Sequence, residues 1–387
     1  MVQKMLYIYN LRLPTEKAHG LQIVQNCEAF ADEGIQVELV GAKRQQYTEF
    51  QDVDIYNHYG VKHNFNIKLI YSLDLTHYFP KNQKFINFLL YIQQISFIIS
   101  AFFYLLFTEH NIIYTRDHIM TILAKLTNPR TKIAYEIHQK RSGRIGRFIQ
   151  SLAIKIAKIS IPITNHMKDD LIKNIEPTGN YLVAHDGVKL GRFNIDNVRS
   201  KNDGFFYVGY VGSISVMGMD KGVSTLIKAV NMIENCRCIL IGGRQDEIQK
   251  LLKFCQEHKI NIDKIIFIGQ VKPSHVAEHL ADADALIIPS PFNNFFAYYS
   301  SPLKLFEYMA IKKPIISSRL PAIQEIMTEG ENILFFNPSD FNDLAEKIKM
   351  VINKPTLGSM LAQKAYDLLV EKYTWQKRAK SILEHLK

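Results

Sequence analysis

Two loops combine the residue types that suit binding of a phosphorylated ligand. In the first, YVGYVGSISVMGMDKGVSTLIKAV, Gly209 and Gly212 flank the end of an apolar run, and Lys221–Gly222 precede a helical pattern. Glycine lets the backbone approach a ligand closely, and lysine supplies a point charge for phosphate oxygens. The GxxxxGK[ST] spacing of a P-loop is absent. The pattern therefore predicts a diphosphate-binding loop of a different kind.

The second loop is SSPLKLFEYMAIKKPIISS, in which Ser300, Ser301 and Pro302 indicate the start of a helix. Lys304 and Glu307 are three residues apart and so share one face of that helix. At the mouth of a sheet they would offer a cation to phosphate and a carboxylate to ribose hydroxyls. The alternative is an isolated ion pair on the helix surface.

A third loop, NLRLPTEKAHGLQIVQNCEAFADEG, places Thr15 and Gly20 just before an amphipathic helix. Backbone N–H groups at a helix start favour an anion, and Gly20 would let it come close. The alternative for Gly20 is a plain turn.

Short apolar runs alternate with helical patterns along the chain, which predicts parallel sheets covered on both faces. Two series of such runs predict two doubly wound domains, with ligands beyond the carboxyl ends of the strands, where the three loops lie. The join is expected at residues 190–204, and one terminal helix at 357–386. The predicted strands are Met5–Tyr9, Val37–Gly41, Ile67–Tyr71, Ile112–Thr115, Lys132–His138, Ile159–Ile163, Leu182–His185, Phe206–Gly212, Cys238–Gly242, Ile265–Gly269, Ala285–Pro289, Pro314–Ser317 and Ile333–Phe336.

The composition narrows the class of partner. Apolar residues make up 47% of the chain, which excludes a disordered protein. The net charge of +10 favours anionic partners, yet no nucleic-acid motif is present, so acidic lipid or diphosphate is preferred and nucleic acid is not expected. The four cysteines have no CxxC spacing and are expected to be buried thiols of a cytoplasmic protein. The N-terminus lacks the pattern of a signal peptide.

Two segments raise the question of a membrane. Residues 85–107 are long enough to span a bilayer, but polar side chains within them favour a buried or interfacial helix, with a true span as the alternative. Residues Lys140–Ile159 form a basic amphipathic helix that fits an anionic membrane surface; the alternative is a solvated charged face over an ordinary core stripe. The basic sector contains Lys140, Arg144, Arg147, Lys155 and Lys158, and the apolar stripe Ile145, Ile149, Leu152, Ile156 and Ile159.

Taken in order, the three loops resemble glycosyltransferase family 4, the retaining nucleotide-sugar enzymes of the GT-B fold. The resemblance extends to YEIH (135–138), HDGVKLGRF (185–193), FIGQV (267–271), ADALIIPS (283–290) and YTWQKRA (373–379). It implies an α/β protein of two Rossmann-like domains, each a doubly wound parallel sheet, facing an interdomain cleft. Residues 1–195 would be the acceptor-side domain and 203–356 the nucleotide-sugar-binding domain. Residues 357–387 would be a helix that packs back on the first domain.

The resemblance also implies roles for individual residues. His138 matches the histidine near the donor sugar, Lys221 the phosphate-binding lysine, and Glu307 the second glutamate of an E-x7-E motif that binds ribose. Tyr299 stands where the first glutamate is expected, and Ser213 where an arginine is common. An SPLK-type subgroup shares this pattern, which suggests that Lys304 takes part of the phosphate role. The expected donor-binding residues are Gly20, Gly212, Ser213, Gln270, Val271, Tyr299, Ser301, Leu303 and Lys304.

The implied activity is retaining, metal-independent transfer of a hexose or related sugar from a nucleotide sugar to a glycan or lipid-linked acceptor. No cofactor or metal is expected, because no DxD pair is suitably placed. Surface polysaccharide or glycoconjugate biosynthesis is the expected setting, in the cytoplasm and peripherally on the inner face of the cell membrane. Two alternatives remain open: a non-catalytic subunit that binds nucleotide sugar, which Tyr299 suggests, and a nucleotide-sugar 2-epimerase.

Overall fold

The structure, a computed structural model, describes residues 2–15, 17–46, 50–76, 83–193, 203–216 and 218–387. The chain divides into two compact units. The N-terminal unit comprises Met1–His185 together with Trp375–Lys387, and the C-terminal unit comprises Asp186–Thr374. Most of the join predicted at 190–204 falls at 194–202, outside the described residues.

The N-terminal unit is built on a six-stranded parallel sheet of order β3-β2-β1-β4-β5-β6. Its strands are β1 (Lys4–Ile8), β2 (Gln36–Lys43), β3 (Asn66–Tyr71), β4 (Ile112–Thr115), β5 (Lys132–Ile137) and β6 (Ile159–Pro162). Its helices are α1 (Ala18–Asp32), α2 (Ile55–Tyr59), α3 (Gln83–Leu106), α4 (His118–Thr127), α5 (Arg144–Ile156) and α6 (Asn165–Asn174). No regular strand forms at the predicted Leu182–His185. The segment still lies beside β6, since Tyr181 bridges to Ser160 and the N–H groups of Leu182 and Ala184 donate to the carbonyl oxygens of Ser160 and Pro162 at 3.0 and 3.2 Å.

The C-terminal unit repeats this order, as β11-β10-β7-β12-β13-β14. Its strands are β7 (Phe206–Val211), β10 (Cys236–Ile241), β11 (Ile265–Gly269), β12 (Ala285–Ile288), β13 (Ile315–Ser318) and β14 (Leu334–Phe336), with a small hairpin of β8 (Ser215–Val216) and β9 (Met219–Asp220). Its helices are α7 (Val223–Asn231), α8 (Gln245–Glu257), α9 (Val276–Ala281), α10 (Asn294–Tyr298), α11 (Leu303–Ala310), α12 (Pro321–Gln324), α13 (Phe341–Asn353) and α14 (Pro355–Lys372).

The strand order fixes which helices share a face of each sheet. In the N-terminal unit the connections through α3, α4 and α5 all advance in one direction across the sheet, whereas those through α1 and α2 advance in the other. Because parallel crossovers are right-handed, α3, α4 and α5 lie on one face. One buried cluster confirms this for α3 and α4, since side chains from both helices pack against β1, β2 and β4. Both sheets are doubly wound, as the sequence predicts.

The single terminal helix predicted at 357–386 is two helices. α14 ends at Lys372 and packs with α11 and α13 in the C-terminal unit, whereas α15 (Trp375–Leu386) packs on α1 in the N-terminal unit. Trp375 is fully buried there, and its Nε1 donates to Gln25 Oε1 at 2.7 Å. The prediction that the segment packs on the N-terminal domain therefore holds for its second half only. All four cysteines are buried free thiols, as expected.

Candidate functional site

The C-terminal sheet changes winding direction at β7 and β12, and side chains of the two lysine-containing loops meet at that point. Gly212 directly follows β7 with φ +135°, a conformation that side chains rarely adopt. A Cβ at Gly212 would lie 3.4 Å from Nζ of Lys304, which is the second residue of α11. A glycine at this position therefore leaves open the space beside the lysine amine.

Two lysine amines whose positive charge is little compensated by other side chains lie at this point. Lys221 Nζ donates to Ser213 Oγ at 3.2 Å. Lys304 Nζ is buried, lies 4.1 Å from the centre of the Tyr210 ring, and has no hydrogen-bond partner among the described residues. Burial lowers the pKa of Lys221; burial, followed by the charge of Lys221, holds the pKa of Lys304 well below its ordinary value. An anion bound here would relieve both effects.

Glu307 lies one turn after Lys304 on α11 and is half-buried. Burial raises the pKa of this carboxyl group, and the charges of Arg192 and Lys304 partly offset the rise. The ion pair offered as an alternative for Lys304 and Glu307 does not form, because no described group bonds to the lysine amine. Lys221, Lys304 and Glu307 thus belong to one constellation that interacts electrostatically.

Two carboxylates, for which the sequence predicts no role, accept hydrogen bonds from the backbone of this loop. Asp220 Oδ1 accepts from the N–H groups of Gly222 and Val223, both at 3.0 Å, and so occupies the start of α7. Glu247 Oε1 accepts from the N–H of Ser215 at 2.9 Å. Acidic residues beside helix starts were the available signal. Since Asp220 already caps α7, neutralisation of a ligand's charge falls to the lysines.

Two glycines have a structural role whatever they bind. A Cβ at Gly20 would lie 2.5 Å from both Thr15 Cγ2 and the Tyr59 hydroxyl oxygen, so the first turn of α1 packs too closely for a side chain. Gly222, at φ +89°, would place a Cβ 1.7 Å from the Pro289 carbonyl oxygen. Packing alone explains glycine at these two positions.

The remaining predicted donor-binding residues follow the carboxyl ends of β11 and β12. Gln270 is exposed and Val271 packs partly against the core, directly after β11. Tyr299 ends α10, and Leu303 is the first residue of α11. Ser301 Oγ accepts from the N–H of Asp186 at 3.0 Å, which ties the loop before α11 to the beginning of this unit.

In the N-terminal unit His138 directly follows β5 and is joined to a buried carboxylate. Its Nε2 contacts Glu136 Oε1, and Glu136 is fully buried. Arg116 Nη2 lies 2.8 Å from Glu136 Oε1, and Arg378 Nη2 donates to Oε2 at 2.9 Å. The Tyr114 hydroxyl also donates to Oε2. His138 is therefore positioned by a carboxylate whose charge two arginines balance.

The positive charges around Glu136 strongly stabilise its ionised carboxylate. Burial by itself raises the pKa of Glu136, but Arg116 and Arg378 outweigh burial and hold the pKa well below its ordinary value. Arg378 comes from α15 and also donates to the His185 carbonyl oxygen at 3.0 Å. The motifs YEIH and YTWQKRA contain Glu136 and Arg378, but the sequence predicts no role for either residue. A charged residue inside the buried run KIAYEI was the available signal.

Within the described ranges the structure contains no group of three or more His, Cys, Asp or Glu side chains placed to hold a metal ion.

Comparison with known proteins gives a family match in the C-terminal unit. Residues 206–354 match the family model described as Glycosyl transferases group 1. An uncharacterized glycosyltransferase of Methanocaldococcus jannaschii is 26% identical over 233 residues, which cover 60% of this chain and 60% of that relative. The capsular polysaccharide biosynthesis glycosyltransferase CapM of Staphylococcus aureus is 22% identical over 251 residues, which cover 59% and 61%. The chain thus spans less than two thirds of the length of these relatives.

Solved structures match over the whole chain. Sucrose-phosphate synthase from Thermosynechococcus elongatus superposes with a TM-score of 0.76 at 17% identity, covering 99% of this chain and 98% of that one. HepE of Anabaena, solved in complex with UDP, superposes with a TM-score of 0.70 at 15% identity, covering 99% of both chains. At these identities the likeness shows the fold, which is GT-B.

Proposed function

We propose that this chain is a glycosyltransferase of the GT-B fold that transfers a sugar from a nucleoside-diphosphate sugar to a glycan or lipid-linked acceptor with retention and without a metal ion. The observation that supports this most directly is the pair of buried lysines at the winding reversal of the C-terminal sheet. Lys304 Nζ has no bonding partner in the described chain, and its pKa is strongly lowered. A departing diphosphate supplies the anion that this amine lacks.

Each residue of the site has a separate role in the proposed transfer. Lys221 and Lys304 neutralise the charge that develops on the leaving diphosphate, while Gly212 leaves room for its oxygens. Glu307 accepts from ribose hydroxyls, and the backbone at Gln270 and Val271 reads the base. His138, held by Glu136, orients the donor sugar or stabilises the oxocarbenium-like centre. A phosphate oxygen of the leaving group helps to deprotonate the acceptor on the same face, so the configuration at the anomeric carbon is retained.

The setting proposed is surface polysaccharide or glycoconjugate biosynthesis, in the cytoplasm at the inner face of the cell membrane. CapM of Staphylococcus aureus is named for capsular polysaccharide biosynthesis, which supports this setting. Tyr299, at the position of the first glutamate of the motif, favours one rival: a subunit that binds nucleotide sugar without transferring it.

A donor screen separates these functions. We expect one nucleoside-diphosphate sugar to stabilise the protein against heat and to be consumed when a membrane or glycan extract is added, with unchanged rate in EDTA. NMR of the product should show the anomeric configuration of the donor. Tight donor binding without turnover in any extract would favour the non-catalytic subunit, a changed sugar without acceptor would favour the epimerase, and inhibition by EDTA would contradict metal independence.

A further inference from the structure

The helical layer of α3, α4 and α5 exposes an extended apolar surface in the N-terminal unit. α3 packs against α4 and α4 against α5, on the same face of the sheet. Side chains that point away from the sheet on these helices therefore form one continuous surface, here called the outer helical face. Its composition differs from that of an ordinary water-facing layer.

On α3 the outward side chains are as apolar as the inward ones. The inward side chains pack in the core and are at most 3% exposed, namely Leu89, Phe97, Ala101 and Leu105. The outward side chains lie on the opposite side of the helix and are 52–66% exposed, namely Phe88, Tyr91, Ile95, Ile99 and Phe103. A helix on the surface of a soluble protein normally has polar residues on its outer side.

Over Lys84–Leu106, α3 is long and apolar enough to cross a membrane, and 28% of its most apolar stretch is buried. However, its inner side packs against β1, β2 and β4 along the helix. This packing favours a helix that lies along a bilayer surface over one that crosses it.

On α5 the sheet-facing side consists of Gln150, Ala153 and Ile154. The outward side exposes Ile145 by 77% and Phe148 by 71%. The apolar stripe predicted from the sequence therefore divides: Ile159 is buried in β6, but Ile145 and Leu152 are exposed rather than part of the core. The alternative of an ordinary core stripe is therefore wrong for Ile145 and Leu152, whereas Ile149 and Ile156 are half-buried.

The exposed apolar side chains of α5 lie in a segment rich in positive charge. Residues 139–158 contain six lysines and arginines and no aspartate or glutamate. Lys140 pairs with Asp170 and Lys155 with Glu176. The other exposed cations, Arg144, Arg147 and Lys158, form no ion pair with a described residue. Apolar side chains beside unpaired cations are complementary to a surface of acyl chains under anionic headgroups.

We propose that the outer helical face docks on an anionic lipid bilayer, with α3 and α5 in the plane of the interface, their apolar side chains at the headgroup–acyl boundary and Arg144 and Arg147 on lipid phosphates. A second copy of this chain fits less well, because a two-fold contact through α5 would bring the same cations together. The proposal deepens the membrane location in the proposed function, but lipid binding needs neither donor nor acceptor.

The test is flotation of the full chain with phosphatidylcholine vesicles, with and without phosphatidylglycerol. We expect binding that requires phosphatidylglycerol and weakens with salt. Arg144→Glu with Arg147→Glu should weaken it at least about 30-fold, from roughly a factor of five for each cation lost. Ile95→Ser with Phe148→Ser should weaken it about tenfold or more. Matched controls in the C-terminal unit, Lys253→Glu and Met232→Ser, should bind as the unaltered chain does.

A fluorescent variant tests insertion without loss of fold. The only tryptophan, Trp375, is buried, so Phe148→Trp adds a reporter whose emission shifts to the blue and is quenched by brominated lipid if α5 enters the interface. Unaltered flotation of both double variants, no quenching of Trp emission, or a dimer that Phe148→Ser abolishes would overturn the proposal. Circular dichroism and thermal unfolding, measured on every variant, show whether the N-terminal unit, which contains α3 and α5, remains folded. Vesicle binding with no sugar transfer would count against the proposed function alone.

Discussion

The two units treat buried charge in opposite ways. In the N-terminal unit Glu136 is fully buried, and two guanidinium groups, a tyrosine hydroxyl and His138 surround it. In the C-terminal unit two lysine amines lie together, and the more deeply buried one, on Lys304, has no bonding partner in the described residues. The first arrangement is complete without a ligand, whereas the second is not. A buried charge that the protein leaves uncompensated indicates where a ligand of opposite charge binds.

The largest effect expected is loss of stability in Glu136→Gln. The substitution leaves Arg116 and Arg378 buried without a counter-charge, which costs about 3–5 kcal/mol in comparable cases. The free energy of unfolding of the N-terminal unit in urea, compared between the variant and the unaltered chain, measures this loss. The exposed pair Lys253–Glu257 gives a matched control, since Glu257→Gln should change stability by less than about 0.5 kcal/mol. Equal small effects would show that the Glu136 cluster is not a compensated structural unit.

The opposite sign is expected for Lys304→Met. Removing an unpartnered buried amine should stabilise the ligand-free protein by about 1–2 kcal/mol. The same change removes a charge-assisted contact to the donor, so donor affinity should fall by about 2–3 kcal/mol, or roughly 30- to 150-fold. Calorimetric titration and thermal unfolding measure the two quantities. Lys253→Met, on an exposed face of α8, should change neither. A less stable variant with normal affinity would remove Lys304 from the site.

Except at Leu182–His185, where no strand forms, the strands of the two six-stranded sheets could be predicted to within about two residues, because apolar runs of β-branched residues are strong local signals. Local signals do not reveal partners that are distant in sequence. Arg378 is 242 residues from Glu136, and no periodicity connects them. Helical periodicity likewise showed two faces on the segment of α5, but the choice of Gln150, Ala153 and Ile154 as the buried face depends on the sheet beneath. The proximity of Lys221 and Lys304 could be predicted because both lie in segments beyond the carboxyl ends of the adjacent strands β7 and β12.

A smaller effect is expected for Gly212→Ala, which tests whether open space beside Lys304 matters. The new Cβ would lie 3.4 Å from the lysine amine, where a phosphate oxygen is proposed to bind, so donor affinity should fall about tenfold, or 1.4 kcal/mol. The strain of a positive φ would also lower stability by about 1 kcal/mol. Gly330→Ala is the control, because Gly330 has φ +73° and no atom within 4 Å of its Cβ position. Gly330→Ala should lose a similar amount of stability but bind the donor as the unaltered chain does. An equal loss of donor affinity in both variants would mean that backbone strain, and not lost space beside Lys304, causes the effect.

The smallest expected effect is a change of the free energy of unfolding with pH. Burial favours the uncharged form of Lys304, whereas two arginines favour the charged form of Glu136. The folded pKa of Lys304 lies below its unfolded value, so between these values the unfolded chain binds more protons and the free energy of unfolding rises with pH. The slope from one such group is at most about 1.4 kcal/mol per pH unit. Glu136, with a lowered pKa, contributes stability above the ordinary glutamate pKa that is lost as pH falls through the folded value.

The measurement is the free energy of unfolding as a function of pH, from neutral to alkaline pH. Subtracting the curve of Lys304→Met from that of the unaltered chain cancels the other groups and isolates the lysine. A rising difference that disappears with bound nucleoside diphosphate is expected, because the anion restores the charged amine. A flat difference without ligand would mean that the amine is already compensated, and the contrast between the two units would then fail.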